Sequence, residues 1–506
     1  MTSSINAVHI PNVAFHGLAR ERQQVALEPE WCTKAENIII DGAGRLAARK
    51  GWAAQNGTPI SGTPTINQIH EYVKTDGTTE IISASADDLF TGASTPTSIV
   101  GALTPTAGNW QFVNFNGNVY GWQASHTPIV YTGTGDFTAM SASTGTLPDG
   151  NTVLAAYGRL WAVDDDGQTI RYCALLDPTL WAVADGGGVI DMRSVWTRGT
   201  DTVQRIVAYG SSLIVFGKRH VVIWVDGSGS DIGIDPVNIY VGQVIENVGL
   251  VSRDAMALAG EIDVLFWSYN GVRSLRRTLQ ETATPVNEIS PQNRDFLSDS
   301  LSTGDLSKVR GVYSAINGYF LLSHPDDSRT FCFDSKGLMQ DGALRMTTWT
   351  LVPTAACETI SGDVYFGFPS TGVIGKYSGY LDNTATYRFD YESGWMALEP
   401  AMRLKMLKRL KAFLFSPASG QVTFKWWTDF KSNLKTYAKD LVGDGDEWNV
   451  DEWSLMEWSA GKAQHEKYVP LSNSCQYVKV GVLFVVNGRP FGVQNISLYY
   501  EPTRLV

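Results

Sequence analysis

The chain has 506 residues, 43% of them hydrophobic, which is enough for a large core and more than one domain. Only 18% of the residues are charged and the formal net charge is −11, a balance that argues against binding duplex DNA by neutralising its phosphates. Residues 1–19 contain no apolar segment of the kind found in secretory leaders, so we expect no leader, and no run of 18 apolar residues occurs. The sequence therefore predicts no membrane span.

The cysteines are five in number and widely spaced, with no C-x-x-C pair among them. This pattern does not indicate a disulfide framework, and it predicts reduced thiols in a chain folded in a cytoplasm. The composition is otherwise rich in glycine, aromatic residues and Ser, Thr and Asn. Such a mixture is typical of many short strands joined by tight turns.

Residues 1–64 predict an N-terminal extended segment with one β-hairpin. Ile38-Ile39-Ile40 has the composition of a strand, and Asp41-Gly42 directly after it is a hairpin-turn signal. A basic strand running to Trp52 follows the turn.

A weak repeat occupies residues 65–395. Each copy is an apolar strand, a short polar turn and a second apolar strand, as in Leu160 to Val163 followed by Ile170 to Tyr172. The seven copies begin near residues 81, 119, 160, 213, 264, 319 and 364. Spacing of roughly 40–50 residues between β units is typical of propeller blades.

The predicted fold is therefore all-β, a β-propeller of about seven blades with a range of six to eight. Radial packing buries both faces of each blade and leaves only short edges. Trp161, Trp224 and Trp267 are expected to fill the space between blades. A pair of β-sandwiches, which also contains hairpins, is the less favoured alternative.

Residues 396–506 predict a smaller C-terminal β domain. It opens with a basic run, Arg403 to Lys411, and continues with strand patterns at 421–427, 477–486 and 493–500. An acidic, Trp-rich insert at 431–467 interrupts it and is expected to contact a neighbouring molecule.

The sequence contains no convincing catalytic or metal-binding pattern. Asp164-Asp165-Asp166-Gly167 carries the clustered oxygens that calcium prefers, but it lies between two strands and is better explained as a hairpin turn. The seven histidines are isolated, and neither a phosphate-binding loop nor a nucleophile elbow is present. We expect no enzyme activity, no cofactor and no metal.

The N-terminal hairpin carries a recognisable pattern. Spaced along it are Asn37, Asp41, Gly44, Arg45, Leu46, Arg49, Lys50 and Gly51. This pattern resembles the opening of the tail nozzle proteins of short-tailed bacteriophages, also called tail tubular protein B or packaged-DNA stabilisation proteins. Lys50 departs from it, because many relatives carry proline there.

The resemblance implies a structural virion protein that forms the tail nozzle below the head-to-tail adaptor. It would continue the DNA channel and keep it closed until genome ejection. The implied partners are five further copies in a homohexameric ring, the adaptor ring, other tail proteins such as fibres or a needle, and DNA in transit without specific binding. The implied location is the virion tail, after assembly in the bacterial host cytoplasm.

Two further expectations follow from this resemblance. The motif residues, together with the basic run 403–411, are candidates for contact with the adaptor or a neighbouring subunit, although solvated surface explains them equally well. The alternative function is a propeller-type carbohydrate-binding or glycan-cleaving protein used in host attachment. Sialidase-type propellers repeat an S-x-D-x-G-x-x-W turn, which this chain matches only partly and once, at residues 163–167.

Overall fold

The computed structural model describes residues 5–10, 13–24, 27–42, 44–106, 109–227, 234–260, 263–280, 288–337, 339, 342–399, 403–416, 420–441 and 464–503. These residues form a β-propeller and a second, two-sheet β domain. The predicted all-β propeller is confirmed.

Six four-stranded antiparallel sheets form the blades, each running outward from the propeller axis. We number them in chain order. Blade 1 is Gln68–Val73, Thr79–Ala84, Leu89–Thr91 and Thr97–Ser98; blade 2 is Gln111–Phe115, Asn118–Trp122, Ile129–Tyr131 and Thr138–Ala139; blade 3 is Val153–Ala156, Arg159–Val163, Thr169–Tyr172 and Gly188–Asp191. Blade 4 is Val203–Tyr209, Ser212–Gly217, His220–Asp226 and Ile239–Glu246; blade 5 is Arg310–Ser314, Tyr319–His324, Arg329–Asp334 and Arg345–Trp349; blade 6 is Ala355–Glu358, Val364–Gly367, Ile374–Tyr377 and Trp52–Ala54.

A three-stranded sheet, Met256–Ala259, Asp263–Ser268 and Gly271–Ser274, lies between blades 4 and 5 in the ring. Where a fourth strand would begin, the chain instead enters the helix Leu275–Gln280. The Ser274 hydroxyl accepts a hydrogen bond from the Arg277 N–H, as an N-cap residue does. The predicted count of about seven blades is thus corrected to six four-stranded blades, with the fifth repeat forming this smaller sheet.

The predicted hairpins are the second and third strands of the sheets, and these strands are the most buried. Leu213 to Phe216 and Phe320 to Leu322, for example, are almost completely inaccessible. Clusters of buried side chains fill the gaps between successive sheets, with Trp161 and Trp224 between blades 3 and 4. Trp267 lies in the large cluster that continues into the second domain, so the predicted role of all three tryptophans is confirmed.

The ring is closed by a strand from near the start of the chain. Trp52–Ala54 pairs with Ile374–Tyr377 as the outermost strand of blade 6, and Trp52 stacks on Phe368 with ring centroids 4.1 Å apart. The predicted boundary, which left residues 1–64 outside the propeller, is therefore wrong for this strand. The strand has only three residues, and its partner strand lies more than 300 positions away in the sequence. No pattern among neighbouring residues could therefore predict the pairing.

The second domain uses both ends of the chain. One sheet has the order Gln464–Pro470, Lys405–Phe415, Gly492–Pro502, Leu46–Ala48 and Ile38–Ile40, with Asn6–Ile10 and Ser474–Cys475 added at its sides. The other has the order Trp31–Glu36, Tyr387–Ser393, Tyr477–Val486, Gly420–Thr428 and Lys435–Leu441, with Gly17–Leu18 and Met396–Ala397 at its sides.

These additions change the predicted domain boundaries. The domain begins in the N-terminal segment and resumes at Tyr387, before the predicted start at 396. Residues 442–463 of the predicted acidic insert lie outside the described residues.

Helical structure is brief. Besides Leu275–Gln280, one α-helix spans Arg294–Leu301, and the described 3₁₀ turns are Val183–Asp185, Met192–Ser194, Pro291–Asn293, Leu306–Lys308 and Pro325–Asp327. No helix among the described residues is long and apolar enough to cross a membrane.

Candidate functional site at the domain joint

The motif hairpin forms as predicted, with Ile38–Ile40 paired antiparallel to Leu46–Ala48. The Asp41 N–H donates to the Arg45 carbonyl at 3.0 Å, and the Gly44 N–H donates to the Asp41 carbonyl at 2.9 Å. Gly44 has φ of +76°, a conformation that glycine adopts without strain. The Asp41 carboxylate also accepts from the Arg45 guanidinium at 2.8 Å, so two motif residues stabilise the turn itself.

Asn37 lies at the junction between the propeller and the second domain. It is fully buried and has φ of +57°, which asparagine tolerates better than most residues. Its amide nitrogen donates to the Arg388 carbonyl at 2.7 Å and to the Thr350 hydroxyl at 2.9 Å. Thr350 follows the outermost strand of blade 5, and Arg388 belongs to the second domain. One side chain therefore holds both domains.

Arg49 completes this junction, and its side chain is 0% exposed. Its guanidinium makes a two-pronged ion pair with Asp382, at 2.8 and 2.7 Å, and donates to the Asn37 side-chain oxygen at 2.8 Å. It also lies 4.1 Å from the centre of the Tyr387 ring. Burial raises the pKa of Tyr387, although the nearby Arg49 charge opposes that shift. We call the contacts of Asn37 and Arg49 the domain joint.

Gly51 is required by close packing. A Cβ atom on it would lie 1.8 Å from the Leu381 carbonyl oxygen, which only glycine permits. The neighbouring Trp52 N–H donates to that same oxygen at 2.9 Å, which aligns the closing strand of blade 6. Lys50 has an exposed side chain, while its backbone N–H donates to the Tyr377 hydroxyl at 3.2 Å.

The structure thus brings all eight residues of the motif into one region, but it gives several of them a different role from the predicted one. Asn37, Arg49 and Gly51 are buried within the subunit, so they cannot contact an adaptor or a neighbouring copy as proposed from the sequence. Charged residues are seldom buried unless they are paired. The partner of Arg49 is Asp382, which is too distant in sequence for the burial of Arg49 to be predicted. Lys50 is the motif residue whose side chain is exposed.

Several charged side chains of the basic run 403–411 also have their partners within the chain. Lys408 pairs with Glu501 at 2.8 Å, Lys411 pairs with Glu466, and the Arg409 guanidinium lies 4.5 Å from the centre of the Tyr499 ring. Lys405 is fully buried, and burial lowers its pKa. The run therefore lies mainly in the long strand Lys405–Phe415, and the contacts just described are with other parts of the same chain.

The acidic sequence at 164–167 is a hairpin turn in blade 3, as predicted. The Asp164 carboxylate accepts from Arg171 at 2.8 Å, and the Asp166 carboxylate accepts from the Gln168 and Thr169 N–H groups. Within the described part of the chain, no group of three or more His, Cys, Asp or Glu side chains is arranged to hold a metal ion.

The five cysteines are free thiols, and four of them are buried. Burial raises the pKa of the Cys173 thiol to about 11, despite an opposing hydrogen bond from the Leu160 N–H. Such thiols are protonated and unreactive near neutral pH.

A second cluster, which the sequence did not indicate, lies at the propeller axis. Arg253 precedes the three-stranded sheet, and its guanidinium reaches across the ring to the carbonyls of Asn109 and Asn151, at 3.0 and 2.7 Å. It also pairs with Asp254 at 2.7 Å. Adjacent Arg and Asp residues in a loop have the pattern of ordinary solvated surface, which is why sequence reasoning passed over them.

The Asp254 carboxylate is shared with two further arginines. Arg205 of blade 4 lies 3.0 Å from it and Arg310 of blade 5 lies 3.5 Å from it. Burial alone would raise the pKa of Asp254, but the charges of Arg253 and Arg310 hold it well below its usual range. We call Arg205, Arg253, Asp254 and Arg310 the axial cluster.

No family model and no curated protein matches the chain. Among solved structures, PorZ, a surface component of the type-IX secretion system of Porphyromonas gingivalis, aligns with 77% of this chain at 11% identity and a TM-score of 0.36. The alignment covers 46% of PorZ, so the chain spans less than half the length of that protein.

Two other solved structures give similar values. YCF48 bound to a D1 peptide aligns with 65% of this chain and 97% of its own, at 11% identity and a TM-score of 0.36. BBS1N in complex with ARL6DN aligns with 65% of this chain and 98% of its own, at 12% identity and a TM-score of 0.38. With such scores, these matches carry no functional inference for this chain.

Proposed function

We propose that this chain is a structural virion protein, the tail nozzle subunit of a short-tailed bacteriophage. It assembles as a sixfold ring below the head-to-tail adaptor, continues the DNA channel and keeps it closed until genome ejection. The motif at residues 37–51, and a propeller with an appended β domain, support this assignment. The protein works by shape and assembly rather than by bond chemistry.

The observation that carries the proposal is a pair of unlike exposed apolar surfaces on one subunit. The first, which we call the rim surface, comprises exposed apolar side chains of the fourth strands of blades 3 and 4 and of the loops before them. These are Leu175, Leu176, Val183, Val189, Val237 and Tyr240, and the Leu176 carbonyl accepts from Asn116 of blade 2. The exposed carboxylates Asp185 and Asp191 belong to the same segments, and Asp191 is paired with the exposed Arg193 at 3.4 Å.

The second surface, which we call the edge surface, lies on the second domain. It contains the exposed side chains of Phe430, Leu434 and Tyr437 together with Lys431 and Lys439. Among the described strands, Lys435–Leu441 is the last of its sheet and pairs with Gly420–Thr428. An edge strand of this kind is a natural place for another chain to dock. The edge surface is therefore apolar and basic.

The topology separates the two surfaces. In a ring of seven sheets, blade 3 lies opposite the gap between blades 5 and 6, where the second domain is attached. Lys435–Leu441 is the fifth strand out from blade 5, about 24 Å from it at the usual strand spacing. Contact between the rim surface of one copy and the edge surface of the next is heterologous, which is the type of contact that closes a cyclic ring.

The net charge also suits a DNA conduit. Six copies carry a formal charge of −66, six times −11. A lumen of the same sign as the phosphates repels DNA and lets it slide. We expect the exposed acids to be enriched on the lumen side of the ring.

The testing experiment is negative-stain electron microscopy of purified particles with antibody labelling of this chain, and of the protein mixed with its candidate adaptor. Label on a sixfold ring at the distal end of the tail supports the nozzle assignment. Label on peripheral fibres, or the absence of a ring when the adaptor is present, overturns it. Glycan-hydrolysis assays would then test the attachment alternative.

Paired variants test the heterologous interface. Val183→Asp disables the rim surface and Leu434→Asp disables the edge surface, and both side chains are exposed, at 75% and 44%. Neither variant alone should form rings, while a mixture of the two should stop at dimers, since each retains the surface that the other lacks. Ile316→Asp, at a residue 71% exposed in blade 5, is the matched control and should assemble normally.

A further inference from the structure

The innermost strands of the first five sheets form the wall of a pocket at the propeller axis. Arg205 is the residue of the axial cluster that lines it. The pocket has a volume of about 390 Å³ and opens to solvent beside Leu258, which is 54% exposed. A small organic molecule fits a space of this size.

The wall is mainly apolar, with one charged group in it. Val113, Leu154, Ala208 and Ala257, which are partly exposed, contribute hydrocarbon surface, and Arg205 lines one end of the pocket. Apolar walls with a few directed polar groups are the usual design of a ligand site.

Three other polar side chains lie in the wall: His70, Asn114 and Gln111, whose amide is bonded to the backbone of Val153. His70 shares a hydrogen bond with Asn114 at 3.1 Å. Burial lowers the pKa of His70 to about 4, although this hydrogen bond opposes the shift. The imidazole is therefore neutral at pH 7, and the charge in the pocket at that pH is the Arg205 guanidinium.

The axial cluster has an excess of positive charge. It contains three guanidinium groups and one carboxylate, Asp254. The carbonyls of Asn109 and Asn151 offset part of the charge of Arg253, and Asp305 near the surface acts on Arg310. Arg205 pairs with Asp254 at 3.0 Å and donates to the Arg253 carbonyl at 3.2 Å, and it is the arginine of the cluster that lines the pocket. Buried charge of one sign favours a nearby charge of the opposite sign.

We propose that this axial pocket binds a small organic anion, a monocarboxylate with an aliphatic body, with its carboxylate at Arg205 and its hydrocarbon toward the mouth at Leu258. A guanidinium group binds a carboxylate through directed, charge-assisted hydrogen bonds. The apolar wall selects a hydrocarbon body over inorganic phosphate, which would leave that wall uncovered. The proposal is independent of ring assembly and of the nozzle assignment.

The experiment is isothermal titration calorimetry of the full chain with hexanoate, and with hexan-1-ol and inorganic phosphate as comparison probes. We expect saturable binding of hexanoate with a dissociation constant of about 1 mM or below, and binding at least about tenfold weaker for each comparison probe. Equal binding of hexan-1-ol overturns the role of charge. Equal binding of phosphate overturns the aliphatic body, and no saturable binding of hexanoate overturns the site.

Two variants locate the site. Arg205→Gln should weaken hexanoate binding about tenfold or more, and Arg198→Gln, at an exposed arginine on the outside of blade 4, should not. Arg205 also pairs with Asp254, so its replacement can disturb the fold as well as the pocket. A second variant therefore changes an exposed residue outside the axial cluster. Leu258→Asp at the exposed mouth should weaken hexanoate binding about fivefold through charge repulsion, and Leu258→Asn should change it far less. Unchanged binding in Arg205→Gln and Leu258→Asp would overturn the proposal.

Discussion

Replacing Arg49 with alanine tests whether the domain joint holds the propeller to the second domain. The substitution removes a two-pronged ion pair with Asp382 and a hydrogen bond to Asn37, all from a side chain that is 0% exposed. Loss of one partner of a buried ion pair costs about 3–5 kcal/mol of unfolding free energy. Asp382 is 21% exposed and regains water when Arg49 is removed, so we expect a cost near the lower end, about 3 kcal/mol.

Lysine at the same position separates charge from geometry. Arg49→Lys keeps the positive charge near Asp382 but loses the planar fork that bonds both carboxylate oxygens. We expect it to destabilise the protein by about 1–2 kcal/mol, less than alanine does. Arg198→Ala is the matched control, because this arginine is 69% exposed and pairs with Glu246 at 2.7 Å at the surface. Its expected cost is below about 1 kcal/mol.

The measurement is guanidinium unfolding combined with hydrogen exchange read by mass spectrometry, since a protein of two domains need not unfold in one step. Exchange in Arg49→Ala should rise first in Ile38–Ile40, Leu46–Ala48 and Trp52–Ala54, which adjoin the joint. The strands of blades 2 and 3 should exchange as in the unaltered protein. A cost below about 1 kcal/mol, or a uniform rise in exchange, would refute the argument that Arg49 couples the domains.

Three further predictions concern packing, thiol reactivity and acid stability. Gly51→Ala should destabilise the protein strongly in thermal unfolding because its Cβ would meet the Leu381 oxygen at 1.8 Å, whereas Gly57→Ala, which faces open space, should be nearly neutral. Cys173 should resist alkylation in the folded protein at pH 8 and react only in denaturant; fast labelling of the folded form would contradict its burial. Burial would raise the pKa of Asp201, but hydrogen bonds to its carboxylate lower the pKa overall. The ionised carboxylate therefore stabilises the folded protein above the pKa of Asp in the unfolded chain, which is about 4, and this stabilisation is lost as pH falls. The stability difference between the unaltered protein and Asp201→Asn should therefore shrink between about pH 6 and pH 3, and a constant difference in urea unfolding would contradict this.

The propeller could be predicted from the sequence because its strongest signals are local. The second and third strands of each sheet bury both faces, so they are nearly continuous apolar segments, and short turns of Gly, Asn and Asp join them. The outermost strands left no such signal. Thr97–Ser98 and Thr138–Ala139 are two residues long and exposed, so neither composition nor alternation distinguishes them from a loop.

The site was predicted less well, and for a different reason. The motif correctly singled out Asn37 and Arg49, but residue type alone placed their side chains at the surface. What buries Arg49 is Asp382, a partner 333 residues away, and no pattern in a single sequence connects the two. Arg253 was missed for the same reason. Its hydrogen-bond acceptors Asn109 and Asn151 lie just before the first strands of blades 2 and 3, far from it in sequence.

The arrangement of the chain ends links closure of the ring to formation of the second domain. Asn6–Ile10 pairs with Gly492–Pro502, and Trp52–Ala54 pairs with Ile374–Tyr377, so both closures join the two ends of the chain. The contacts within blades 1 to 4 are local by comparison, and local contacts cost less loop entropy to form. The first four blades can therefore form before either closure. Arg49, in the domain joint, is only three residues from Trp52, so one short segment contacts both the second domain and the last strand of blade 6. We therefore expect these two sets of contacts to form together.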